Sequence, residues 1–343
     1  MLVCLAIAGE LAMDQALRPM STSQVLDRTF SLYRSNFVLF AGIALISPAL
    51  TLISSLAQLA VFGMPFIPEP GKLDPHMVQQ YMMRSFIAFG ATIITYAIGT
   101  AFASSATIYA VSMVHLGKTT TIRDCYAKIR PIVARIMGLL VRVFFLAFWP
   151  ILAGYALIAL AAISLVGLGK NAGISSAMLG IIAGLLAFVT IVGGLVWIFI
   201  AFCRYALAVP ACTLEGLPGK ISIIRSKFLT QGRKGDIFLI YLLTGILTLA
   251  LTYALQAPAL LANNIGMLTA RSHLGTGALV WMNLANFLSG AIAGPIITVA
   301  LALMYYDQRV RKEAFDLQLM MEAIGLPQQA QGQSAGGASS SIG

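Results

Sequence analysis

Two ionisable residues stand out because of where they lie in the chain. Arg142 sits inside a long apolar run, 136–168, and Glu215 closes another in the segment RYALAVPACTLEG. A charge inside a membrane span is costly, and where one occurs it often marks a ligand or proton pathway. Arg142 lies only a short way into its run, after Arg135 and Ile136, so two readings stand. It is either a functional intramembrane charge or a side chain that snorkels to the near interface. Glu215 is expected to pair with Arg204, to cap the segment that follows, or to meet a ligand. The remaining candidates for chemistry are sparse. His76, His115 and His273 are solitary, and none belongs to an HExxH, HxxxH or Cys/His set. Cys4, Cys125, Cys203 and Cys212 have no CxxC spacing, so neither a disulfide framework nor a metal knuckle is indicated. There is no GxSxG elbow and no phosphate-cradling GxxxxGK[ST] loop. Asp and Glu together number 12, most of them beside basic residues, which suits charge balance better than acid–base work. No catalytic residue, metal or cofactor is expected.

The elements that hold these residues follow from composition. Hydrophobic residues make up 59% of the chain, charged residues only 10%, and mean hydropathy is +0.88. A soluble domain carries about a quarter charged residues. A chain this apolar cannot cover a water-exposed surface, so the expected class is an integral membrane protein.

A bilayer core of about 30 Å needs roughly 20 apolar residues per helix. Six stretches qualify: 38–62, 86–114, 136–168, 174–210, 237–262 and 278–306. The predicted fold is therefore an all-α polytopic bundle of six transmembrane helices. The fourth stretch is longer than a span needs and must tilt, kink or overrun the bilayer. Pro48, Pro150, Pro210, Pro258 and Pro295 lie within or near the ends of five spans. They read as kinks, with a broken-helix transport site as the alternative.

Seventeen of the 22 Lys and Arg fall in the terminal segments and loops of one side, against four on the other, with Arg142 inside a span. Basic residues mark the cytoplasmic side, which puts both termini in the cytoplasm and the protein in the plasma (inner) membrane. The formal charge of +10 is spread along the spans rather than gathered in one patch. That favours anionic lipid headgroups over nucleic acid as the counter-charge. Arg28, Arg34, Arg123, Arg225, Arg309, Arg311 and Lys312 are the expected headgroup contacts, and the cytoplasmic helices offer a surface for a protein partner.

Four regions are delimited. Residues 1–20 form an N-terminal extension. MLVCLAIAGELAM lacks the basic start and cleavage site of a secretory signal, and Met13 and Met20 are alternative initiators. Residues 21–306 hold the six spans and their interfacial helices. Residues 307–326 form a cytoplasmic amphipathic helix, with Val310, Ala314, Leu317, Met321 and Ile324 on one face. Its pairs Asp307–Arg311, Arg309–Glu313 and Lys312–Asp316 are spaced i,i+4. Residues 327–343 are low in apolar content and expected to be disordered. The first outer loop is expected to be irregular around Pro65, Pro68, Pro70 and Pro75, with a short helix at 76–83 before the second span.

A threefold pattern runs through the chain. Leu26-Asp27-Arg28-Thr29-Phe30 aligns with Ile122-Arg123-Asp124-Cys125-Tyr126 and Ile224-Arg225-Ser226-Lys227-Phe228. Each copy precedes a pair of spans. In the first copy Val25, Leu26, Thr29, Phe30 and Tyr33 fall at helical spacing, with Asp27, Arg28, Ser31 and Ser35 turned away. The even spans carry small residues four apart, Gly99/Ala103, Gly180/Gly184 and Gly290/Gly294, spacing that lets helices approach closely in lipid. Chance pairs are also expected in a chain with 31 glycines.

Three segments, LDRTFSLYRSNF, RYALAVPACTLEG leading into IIRSKFLTQG, and YYDQRVRKEAFDL, together resemble the membrane-domain family named after glycerophosphoryl diester phosphodiesterases. The resemblance covers 18–319 and implies a six-helix prokaryotic membrane module. In some members that module is fused to a soluble phosphodiesterase barrel of about 250 residues, for which no segment here is long enough. The resemblance therefore carries no catalytic residues to this chain. Three functions stay in competition: a non-catalytic scaffold or envelope-maintenance module, a transporter or channel for a small solute or lipid, and a membrane component of glycerophosphodiester or lipid chemistry.

Overall fold

The computed structural model describes residues 20–63, 75–172, 176–268 and 276–313. They are helical almost throughout, and no strand occurs among them. The elements are α1 (Thr22–Ser35), α2 (Phe37–Ala44), α3 (Ile46–Phe62), α4 (Pro75–His115), α5 (Ile122–Ile129), α6 (Val133–Ala172), α7 (Ser176–Tyr205), α8 (Ala208–Leu214), α9 (Gly219–Thr230), α10 (Lys234–Leu268) and α11 (Thr276–Glu313). Among the described residues, six helical stretches are long and apolar enough to cross a membrane: Phe37–Phe62, Gln79–His115, Ile122–Gly154, Gly184–Leu214, Lys234–Leu261 and Gly277–Glu313. The chain is an all-α polytopic membrane protein. The third stretch begins earlier than its apolar run because a 3-10 turn at Arg130–Ile132, with Pro131 in it, joins α5 to α6 without a loop. The short helix expected at 76–83 is no separate element. Pro75 opens α4, and its fixed φ suits a first helical position, so the helix runs on unbroken to His115.

The five prolines divide into two classes. Pro48 and Pro210 each stand third in a helix that has just restarted, α3 after a turn at Leu45 and α8 after a turn at Ala206 and Leu207. Each lacks the N–H that the carbonyl four residues back requires, that of Ala44 or Ala206, so the helix breaks there. Pro150, Pro258 and Pro295 sit inside continuous helices.

Two compact units are distinguished, 21–305 and 1–20 with 306–343. In the first, close approach is set by small residues. A Cβ on Gly99 would stand 2.7 Å from the Ser47 Cα, so α4 meets α3 almost backbone to backbone. One on Gly290 would stand 3.2 Å from Pro48 Cβ. Gly194 packs under Ile151, and Gly154 under Thr190, closing the α6–α7 hairpin. Gly184 and Gly294 meet nothing within 4 Å, so neither is a point of close approach. A core of Ala101, Ile136, Leu139, Ala147, Ala201, Tyr205, Ala208, Cys212 and Ile223 joins α4, α6, α7, α8 and α9. The large apolar side chains of α7, Phe188, Val189, Leu195 and Val196 among them, point outward, where lipid is their solvent.

The three amphipathic helices are α1, α5 and α9. Ser21 caps α1 in a capping box with Gln24, and Thr121 caps α5 by accepting from the Asp124 amide. In α1 the buried stripe is Val25, Thr29 and Tyr33, while Phe30 is 46% exposed. The expected apolar face is therefore split between protein and lipid. Cys125 and Ile129 are buried in α5. In α9 the buried residues are Gly219, Ser222, Ile223, Ser226, Leu229 and Thr230. Ile223 is buried as its aligned partner Val25 is, whereas Lys227, aligned with the buried Thr29 and Cys125, is not, and Ser226 takes the buried place beside it. Lys227 turns its ammonium over the Tyr205 ring, 5.7 Å from the centroid.

In the second unit the described residues are Met20 and 306–313. The buried Asp307 carboxylate accepts from Arg311 Nε at 3.1 and 3.0 Å, from Gln308 Nε2 at 3.0 Å and from the Met20 amide at 2.7 Å. Arg311 Nη2 also donates to the Met20 carbonyl, and Arg309 pairs with Glu313 at 3.3 Å. Asp316, the other half of the third expected pair, lies outside the described residues, as do 1–19, the outer-loop prolines Pro65, Pro68 and Pro70, and the segments 314–326 and 327–343.

Candidate functional site: a hydroxyl-lined intramembrane cavity

Hydroxyl residues recur every fourth position in three apolar helices: Ser47, Thr51 and Ser55 in α3, Thr100 and Ser104 in α4, and Thr244, Thr248 and Thr252 in α10. Four-residue spacing places each set on one helix face. The bundle brings these faces together around a cavity of about 560 Å³. Its polar lining is Ser47, Thr51, Tyr96, Thr100, Ser104, Thr107, Thr244, Thr248, Asn286 and Thr298, with Ala44, Pro48, Gly290, Gly294 and Pro295 completing the wall. Among the described residues no Asp, Glu, Lys or Arg lines it.

Hydrogen bonding decides what these groups can offer. Thr100 donates to the Tyr96 carbonyl at 2.8 Å, Thr248 to that of Thr244 at 2.8 Å, Thr244 to that of Ile240 at 2.6 Å, and Thr51 to that of Pro48 at 2.9 Å. A hydroxyl has one proton to give and two lone pairs to receive with. With their protons held by their own helices, the oxygens of these four threonines present acceptors. Pro48 has no N–H for the Ala44 carbonyl, and both residues line the wall. Asn286 is held by Gln256, whose Nε2 donates to its Oδ1 at 2.9 Å. Tyr33, from α1, donates to the Ile292 carbonyl at 2.6 Å, one turn before Pro295. Burial pushes the Tyr33 hydroxyl up to about 12.

The residues singled out in the sequence lie elsewhere. Glu215 pairs with Arg225 rather than Arg204. Arg225 Nε donates to Oε2 at 3.1 Å and to Oε1 at 3.3 Å, and Nη2 to Oε1 at 3.1 Å. The Tyr305 hydroxyl also donates to Glu215. Arg204 contributes its carbonyl, which accepts from Ser226 Oγ at 2.9 Å and Thr230 Oγ1 at 3.4 Å. Arg225, Arg309 and Arg311, read as headgroup contacts, have carboxylate partners within the protein. Arg34 and Arg123 are exposed, and Arg28 and Lys312 are half-buried. Arg142 is exposed on α6, with Nη1 only 3.0 Å from where a Cβ on Gly219 would stand. Cys125, Cys203 and Cys212 are buried free thiols, and among the described residues no three His, Cys, Asp or Glu gather as a metal site. The cavity was missed because its hydroxyls read individually as ordinary span residues. The four-residue spacing was the available signal. No family model, curated protein or solved structure matches the chain.

Proposed function

We propose that this multi-pass membrane protein is a non-catalytic transporter or facilitator for a small uncharged solute rich in O–H or N–H donors, a polyol or a simple amide. The single observation behind this reading is the uncharged, hydroxyl-rich lining of the cavity between α3, α4, α10 and α11, in which Thr51, Thr100, Thr244 and Thr248 present acceptors. A charged solute would lack a counter-charge there, and burying an uncompensated ion costs several kcal/mol or more. An apolar solute would leave the acceptors unsatisfied. The plasma membrane, with the basic loops and both termini cytoplasmic, is the setting proposed from charge asymmetry. Six crossings agree with the termini sharing one side. Membership of the membrane-domain family that the sequence resembles is part of the same proposal.

The test is stopped-flow light scattering of proteoliposomes under inward gradients of glycerol, erythritol, urea and acetamide. At least one solute should equilibrate several-fold faster than in protein-free vesicles, and Thr248→Val with Asn286→Leu should abolish the difference while the protein stays folded. Equal rates for the whole panel would overturn the reading in favour of a scaffold.

A further inference from the structure

Apart from the cavity, the outer surface of the first unit carries a second groove, of about 650 Å³. Two helical stripes form it. From α6 come Arg142, Phe145, Leu146 and Trp149, spaced i, i+3, i+4 and i+7, and from α9 come Lys220, Ile223 and Ile224. The apolar members would be costly to leave in water, and Phe145, Trp149 and Ile224 are all more than half exposed. The two cations gather at one end. Arg142 opens its stripe, and its Nη1 lies against Gly219, the residue preceding Lys220. Among the described residues neither cation has a carboxylate partner.

Packing explains the gathering. Gly219 is buried against Leu139 and the Arg142 guanidinium, and a side chain there would push the arginine away. Arg142 lies nine residues into α6, about 13 Å along its axis. A cationic head end continuous with an apolar trough matches one class of molecule. We infer that the groove holds an anionic phospholipid, its phosphate between Arg142 and Lys220 and an acyl chain along Phe145, Trp149 and Ile224. Free phosphate would meet the cations but leave the trough empty, and a zwitterionic lipid would set a choline or ethanolamine cation against them.

The test uses the full-length chain in detergent micelles, titrated with dibrominated phosphatidylglycerol or dibrominated phosphatidylcholine. The tryptophan quenching lost in Trp149→Phe reports occupancy of the groove. Phosphatidylglycerol should be preferred roughly tenfold or more, since each basic group near an anionic lipid surface contributes a factor of several. Arg142→Gln with Lys220→Gln should erase the preference, Arg142→Lys should largely retain it, and millimolar inorganic phosphate should leave it unchanged. Equal quenching by the two lipids, or a preference that survives the double substitution, would overturn the assignment, as would displacement by phosphate. Should the double variant fail to fold, Lys220→Gln alone decides: a preference that is not reduced overturns the site.

Discussion

Glu215 and Arg225 grip each other across the turn between α8 and α9, with three N–H to carboxylate contacts of 3.1 to 3.3 Å. The Tyr305 hydroxyl donates to the same carboxylate, so α11 is tied to that turn. A bidentate arginine has geometric specificity that a lysine lacks, and charge-assisted bonds are the stronger kind. Glu215→Gln or Arg225→Gln should each cost about 1.5–3 kcal/mol. The double variant should cost less than the sum by at least about 1 kcal/mol, because the second loss finds its partner already gone. The measurement is a double-mutant cycle of unfolding in mixed micelles. Additivity would mean that the pair is incidental.

Gly99 offers a sharper packing test. Its neighbour at 2.7 Å is the Cα of Ser47, backbone that cannot rotate away. Gly99→Ala should cost about 1–3 kcal/mol, the range for overpacking, despite alanine's better helix propensity. Gly184→Ala, with nothing within 4 Å, should be neutral or stabilising by up to about 1 kcal/mol. Thermal unfolding of the two variants side by side reads the contrast. Equal midpoints would show that α3 and α4 do not meet as described.

Much of this architecture was legible along the chain. Long apolar runs announce spans because lipid leaves a helix no other way to satisfy its backbone. What was not legible depended on the third dimension. Nothing local separates Pro48 and Pro210, which break their helices, from Pro150, Pro258 and Pro295, which do not. Glu215 chose Arg225 because the turn at Gly216, a residue at φ 65°, folds α9 back beside it. The cavity is made of residues as far apart in sequence as Ser47 and Thr298, each unremarkable alone. Along the third amphipathic helix the alignment matches burial only in part, with Ile223 buried like Val25 but Lys227 not buried like Thr29. In α9 the hydroxyls Ser222, Ser226 and Thr230 are buried together with Ile223 and Leu229, while Ile224 and Phe228, at 64% and 47% exposure, face outward.

Tyr33 carries a pH prediction. Its hydroxyl donates to the Ile292 carbonyl, and burial raises its pKa from 10.0 to about 12. The folded state therefore holds this proton more tightly than the unfolded state. The stabilisation is fully present below about pH 10 and is lost as pH rises through about 12. Tyr33→Phe should cost about 1 kcal/mol at pH 7 through the lost hydrogen bond. Between pH 10 and 12 its stability should fall less steeply than that of the parent chain. Parallel pH profiles would remove Tyr33 as the source.

Pro48 connects fold to proposed function. It breaks the first span at Leu45, denies the Ala44 carbonyl a helical N–H, and lines the cavity with that residue. Pro48→Ala keeps the Cβ that packs toward Gly290 and supplies the missing N–H. The helix can then close across Leu45, and stability should rise by about 1 kcal/mol, less than the roughly 3 kcal/mol separating proline from alanine in an unstrained helix. Solute equilibration in proteoliposomes should fall several-fold, because the Ala44 carbonyl is then bonded within the helix. Higher stability with unchanged flux would mean that the broken helix is a packing solution only, and that the Ala44 carbonyl takes no part in holding the solute.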